Sequence, residues 1–239
     1  MAIQTRPIIP EPPHTVRPAL LLRDGDRLSA EEFERRYRAS PELKKAELIE
    51  GIVHVTSPVS DVHGPAHLDL AFWIGLYRAS TPGVIGSVEG TIRLDAKNLP
   101  QPDLHLRLPP ELGGRARVGD DRLVEGAPEL VAEIAVSSAE HDLTRKLDLY
   151  ARNGIREYLV WRVEDAVVDW FVLREGRYER LAPNAYGHHE SEIFPGLRLA
   201  ADALARGDLA SVFAVARLGL ESPEHAAFVE QLKPANETG

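Results

Sequence analysis

Two acids in this chain stand where acids are costly. Glu133 lies inside the apolar run Leu130-Val131-Ala132-Glu133-Ile134-Ala135-Val136, and Asp103 opens the alternating segment Asp103-Leu104-His105-Leu106. A carboxylate in a strand that reads as buried is unfavourable unless it is paired or binds a metal. Lys146 follows Glu133 on a helix-like segment. Two strand-borne carboxylates and a nearby ammonium suit metal-dependent hydrolysis of a phosphodiester. A bound Mg²⁺ lowers the pKa of an attacking water and neutralises developing charge. It prefers hard oxygen ligands, commonly one or two carboxylates plus waters and phosphate oxygens. A lysine beside it would stabilise the charged transition state.

Each of these residues also has a plain structural reading. Asp103 can cap a turn after Pro102, Glu133 can pair with an arginine at a sheet edge, and Lys146 can make a surface i,i+4 pair with Asp142. Glu47 offers a further carboxylate or a solvated hairpin residue. His63 and His67 share one helical face, but no glutamate follows His63, so the zinc pattern HExxH is absent and a two-histidine metal site is not expected. His188-His189 reads as a solvated loop pair. Gly113-Gly114 lacks the strand and helix of a phosphate loop. With no GxSxG motif and no cysteine, covalent acyl chemistry has no support.

The elements that must position these groups are readable in outline. Pro7, Pro10, Pro12, Pro13 and Pro18 make residues 1–27 an extended arm. Ser29, with Glu32 three residues on, predicts a capped helix carrying Phe33 and Tyr37 on one face. Ala46 to Val55 reads as a hairpin turning at Glu50-Gly51. His63 to Ser80 reads as a helix with Pro65 in its first turn and Leu68, Phe72 and Leu76 toward the core. Strands follow over 84–95 and 102–108, and 109–128 reads as a loop. The strand at 129–136 leads into a helix over 140–152 stopped by Asn153-Gly154. A strand at 157–163, a hairpin turning at Glu175-Gly176, a short strand near 190–199 and two or three C-terminal helices complete the chain. This order predicts an α/β (mixed α+β) fold with a central mixed sheet flanked by helices.

The totals narrow the class. At 239 residues, 44% apolar and 27% charged, the chain can bury a sizeable core. Absence of cysteine excludes disulfides and thiolate metal sites and fits a reducing cytoplasm. No segment has signal-peptide or membrane-spanning character, so a cytoplasmic protein without a membrane partner is expected. The net charge of −9 argues against tight non-specific binding of DNA.

In order, the segments AELIEG, the His63 helix, QPDLHL, VEGAPELVAEIAVSS, DLTRKLDLYARNGIREYLVW and FPGLRL resemble the putative restriction endonuclease family of the PD-(D/E)XK nuclease-like superfamily, over about residues 28–205. The resemblance implies a restriction-endonuclease-like core at 28–205, with residues 206–239 as a helical extension. It implies a Mg²⁺- or Mn²⁺-dependent endonuclease acting on DNA. Asp103 is then the acid of the PD pair and Glu133 the second acid. Both would bind metal, Glu47 assisting directly or through water and the Ile134 carbonyl completing the coordination. The usual lysine position is Ala135, and Lys146 on the following helix takes its role, orienting the water. His63 would contact phosphate or help proton transfer. Ser137-Ser138 stands where relatives tend to have Ser-Pro-Ser. Two other readings compete: a nuclease-derived interaction module without catalysis, assembling as a homodimer, and a hydrolase of a smaller phosphodiester.

Overall fold

The computed structural model describes residues 21–56, 61–136 and 138–233. Most of the expected arm and Ser137 therefore lie outside the described residues. A six-stranded sheet organises the rest, in the order β11-β10-β9-β8-β5-β3. Its strands are β3 (Ile85–Val88), β5 (Leu104–Arg107), β8 (Leu130–Ala135), β9 (Glu157–Arg162), β10 (Val167–Arg174) and β11 (Arg177–Arg180). Only β8 and β9 run parallel; every other neighbouring pair is antiparallel. The parallel pair needs a crossover, and the helical segment after β8 supplies it. The expected mixed sheet flanked by helices is the observed architecture.

β8 lies at the centre, and all six of its residues are buried. Period-2 alternation sends Leu130, Ala132 and Ile134 into a core beneath helix α2 (His63–Ser80) and the C-terminal helices. It sends Val131 and Ala135 into a second core beneath helix α4 (Leu147–Arg152). Glu133, between them, faces the second side. A third, smaller core joins helix α1 (Ala30–Arg38) to the hairpin of β1 (Ala46–Ile49) and β2 (Ile52–Val55). Ser29 caps α1 by accepting the Glu32 N–H, as its position predicts.

Four expectations are corrected. Helix α2 buries Ala66, Leu70, Trp73, Ile74 and Tyr77, whereas Leu68 and Phe72 are exposed. The rings with polar handles decide the face: Trp73 Nε1 donates to the Arg198 carbonyl at 2.8 Å and the Tyr77 hydroxyl to the Pro195 carbonyl at 3.0 Å. Residues 109–128 are not a bare loop. They hold a 3-10 turn (Pro110–Leu112) and strands β6 (Arg117–Val118) and β7 (Val124–Glu125), which join β4 (Ile92–Arg93) in a three-stranded sheet. The Arg93 guanidinium ties it down through Glu34, Asp121 and Glu125. His189 is not a free loop residue either: it lies in β12 (His189–Glu190), stacked 6.3 Å from the Trp170 ring.

The crossover is also not one regular helix. Helix α3 (Ala139–His141) passes through a π-helical turn (Asp142–Lys146) into α4. Two carbonyls there are taken by hydroxyls, Asp142 O by Tyr158 and Glu140 O by Thr144, which draws them off the ordinary helical ladder. Beyond the sheet, α5 (Ala201–Ala205), α6 (Leu209–Leu220) and α7 (Pro223–Gln231) follow the β12–β13 hairpin, with β13 at Arg198–Leu199. Val212, Val215 and Ala216 of α6 join the core beneath α2. Among the described residues no helix is long and apolar enough to cross a membrane.

Candidate active site

Strand register sets the centre of the site. β5 pairs with β8 through Leu104↔Ala132 and Leu106↔Leu130. Continued by one residue, that register puts Asp103 across from Glu133, their side chains on the same face. Like charges directly opposite each other repel, so this pairing persists only with cations close by. The fold supplies two.

Asp103 is buried and accepts three donors. Its Oδ1 takes Lys45 Nζ at 2.7 Å; its Oδ2 takes the Ile134 N–H at 2.8 Å and lies 3.4 Å from His63 Nε2. Burial alone would push its pKa up, but His63, Lys45 and the Ile134 N–H together hold it well below the usual carboxylate range. Across the strand pair, Glu133 Oε1 accepts Lys146 Nζ at 2.8 Å and the Tyr150 hydroxyl at 2.9 Å. Glu133 is pushed up to about 8, first by burial and then by Asp103, Asp142 and Glu47, against the pull of Lys146. One carboxylate is thus held ionised while its neighbour resists ionisation.

Glu47 comes from β1, which hydrogen-bonds through Leu48 to Leu99. That contact carries Glu47 into the same centre, where Oε1 accepts the Gln101 N–H at 2.6 Å and Oε2 lies 3.0 Å from Lys146 Nζ. Despite its burial, Lys146, Lys45 and the Gln101 N–H pull the Glu47 pKa down. The Lys146 ammonium therefore bridges Glu133 and Glu47, with Asp142 Oδ1 at 3.7 Å. Burial disfavours its charge, yet these three acids raise its pKa well above normal. The solvated alternatives for Glu47 and Lys146 do not describe what is seen, since both are buried. Ala135 packs in the second core, and its small side chain leaves the space above Glu133 to the helix.

These residues line one cleft of about 400 Å³, with His63 and Ile134 on its wall. Among the described residues, six acids border it, namely Asp24, Glu47, Glu89, Asp103, Glu133 and Asp142, against Lys45 and Lys146, with no arginine. The four buried acids outnumber the two lysines, and since Glu133 resists ionisation the full negative surplus develops only when its proton leaves, as binding of a divalent cation would favour. Among the described residues, no three His, Cys, Asp or Glu side chains form a preformed ion cage. Mg²⁺ does not demand one, because it keeps several waters and takes one or two carboxylates. The donor set fits such an ion. For Ile134, what is visible is its N–H on Asp103.

Residues 30–202 match the model of the Uma2 family, described as "Putative restriction endonuclease". The chain belongs to that family. Membership in the Uma2 family supports a nuclease role. A crystal structure of a putative nuclease belonging to DUF820 from Anabaena variabilis aligns with 67% of this chain and 90% of its own, at 14% identity and a TM-score of 0.48. No curated protein matches the chain.

Lys45, Tyr150 and His54, at or beside this Uma2 cleft, escaped the sequence reading. Lys45 stands two residues before Glu47, so strand alternation puts both on one face. Asp142, Lys146 and Tyr150 recur every four residues, one helical face converging on Glu133. His54, which pairs with Glu47 in the hairpin, places its ring 5.0 Å from His141 at the cleft wall. The first two signals were present as spacings; the third needs the hairpin register.

Proposed function

We propose that this protein is a divalent-metal-dependent endonuclease that hydrolyses DNA phosphodiester bonds at the Asp103–Glu133–Lys146 centre. The observation that carries the reading is the facing pair Asp103 and Glu133, whose shared face carries more buried carboxylate than ammonium. Asp103 and Glu133 would hold the metal, with Glu47 assisting and the Ile134 carbonyl offering an oxygen. The ion supplies a bound water of lowered pKa and charge neutralisation at the phosphate. Asp103 is already ionised and oriented by the Ile134 N–H. Glu133 is kept in place by the Tyr150 hydroxyl. Lys146 Nζ presents N–H donors toward the attacking oxygen and the developing negative charge, where one such donor is worth about 10²–10³ in rate. His63, 3.4 Å from Asp103, stands ready to contact phosphate.

The acidic border of the cleft favours a second reading, hydrolysis of a smaller phosphodiester. The six acids and the lack of arginine among the described residues of its border do not make a surface that gathers duplex phosphates. Wild-type protein with Mg²⁺ or Mn²⁺ is offered supercoiled plasmid, a single-stranded oligonucleotide and a small diester such as bis(p-nitrophenyl) phosphate. The endonuclease reading expects nicked and linear plasmid. Turnover of the small diester without any nucleic-acid cleavage would move the assignment to the second reading. No turnover of any of the three contradicts both.

A further inference from the structure

Lys45 and Lys146 are both ammonium partners of candidate metal-binding acids, but they are held very differently. Lys146 is enclosed among Glu133, Glu47 and Asp142, with a side chain 5% exposed. It belongs to a helix fixed by the Tyr158 hydroxyl on the Asp142 carbonyl. Lys45 makes one short contact, 2.7 Å to Asp103 Oδ1, and its side chain is 17% exposed where the chain enters β1. Of the two ammonium groups that line the cleft, it is the more exposed and the less enclosed by acids. Its ammonium also sits on the one oxygen of Asp103 that receives neither the Ile134 N–H nor His63.

A carboxylate oxygen facing the centre and capped by an ammonium has its cation position taken. We infer that Lys45 is a resident counter-ion of Asp103 which a divalent cation must displace, so that Lys45 sets the metal affinity of the cleft. This rests on the metal-dependent reading above and adds a residue that the reading does not need. Lysine is suited to the part, being a compact point charge on a flexible stem. With the ammonium in place, Asp103 is paired and tolerates burial; without it and without metal, a buried carboxylate loses its closest cation. Removing Lys45 thus has opposite effects on the two states. The metal-free protein loses stability, and the metal-bound protein gains a vacant ligand oxygen.

The test titrates Mn²⁺, followed by paramagnetic resonance of the free ion, into full-length wild type, Lys45→Met, Lys45→Gln and Asp103→Asn, with thermal denaturation at each Mn²⁺ level. The inference expects Lys45→Met to bind Mn²⁺ more tightly by roughly tenfold, and to gain more in Tm from Mn²⁺ than wild type does. Lys45→Gln, which keeps a donor for Asp103 while folding without a charge requirement, shows a smaller increase of the same sign. Equal or weaker Mn²⁺ binding in both variants, with wild type binding normally, overturns the role of Lys45 alone. Should wild type and Asp103→Asn bind no Mn²⁺ at all or bind it equally, the metal-dependent reading itself falls.

Discussion

On the proposed metal-dependent reading, Glu133 is the residue whose protonation governs cation binding at the centre. Burial pushes its carboxyl up to about 8 from an ordinary 4.5, so the folded protein holds this proton more tightly than the unfolded chain does. Its contribution to stability is therefore present below 4.5 and is lost as pH rises toward 8. Glu133→Gln keeps an acceptor for Lys146 and Tyr150 but has no proton to lose. In metal-free buffer, the Tm difference between the variant and wild type should widen in favour of the variant as pH rises through this window, as thermal denaturation at several pH values would register. The same proton competes with metal. Apparent metal affinity of the wild type should rise with pH, by up to about tenfold per unit below the Glu133 pKa, and then level off. An affinity that is flat over this range would mean that Glu133 is not a ligand.

Elements explain how much of this was legible. The alternation in β8 announces Glu133 as an acid on a buried face, and the turn at Glu50-Gly51 and the stop at Asn153-Gly154 appear where the residues put them. The core face of α2 was misread because apolar residues lie on several sides of that helix. The ring hydrogen bonds to residues 195–198, more than a hundred residues away in sequence, select among them. The small sheet of β4, β6 and β7 was hidden for a related reason, since its strands are two residues long and held by Arg93 rather than by apolar pattern. The π-helical turn depends on Tyr158, which belongs to the neighbouring strand. Tyr158→Phe removes the hydroxyl and leaves the buried Asp142 carbonyl short of a partner. The cost in stability is expected at about 1–3 kcal/mol by denaturant titration. Because that turn carries Lys146, cleavage should also slow by more than the loss of folded protein accounts for. Unchanged activity per folded molecule would show that the turn does not set the position of Lys146.

At the scale of the whole molecule, charge is the restraint on function. With a net charge of −9 and a cleft edged with acids, the proposed reading makes a divalent metal ion the main source of attraction for phosphate. Binding of a duplex should then be weak without metal and should depend only shallowly on salt when metal is present. A log–log slope smaller in magnitude than about 3 is expected, against roughly one unit per phosphate neutralised. Fluorescence anisotropy across a salt series measures it, and a slope near −6 or steeper would demand a basic surface that the cleft border does not provide. The family and the mixed sheet were within reach of the sequence because they follow from ordered segments and periodicity. The balance of charge around the cleft was not, because it depends on which surface acids the fold brings together.

The claim on which the rest depends is that Asp103, Glu133 and Lys146 perform metal-dependent phosphodiester hydrolysis together. Single-turnover cleavage of plasmid or single-stranded DNA, measured against Mg²⁺ concentration for wild type, Asp103→Asn, Glu133→Gln and Lys146→Met purified in parallel, tests it most directly. Wild type should cleave only with metal. The two acid variants should lose activity together with metal saturation, and Lys146→Met should bind metal yet cleave about 10²–10³ times more slowly. Equal cleavage by all four proteins would contradict the claim, since the activity would then not arise at this centre.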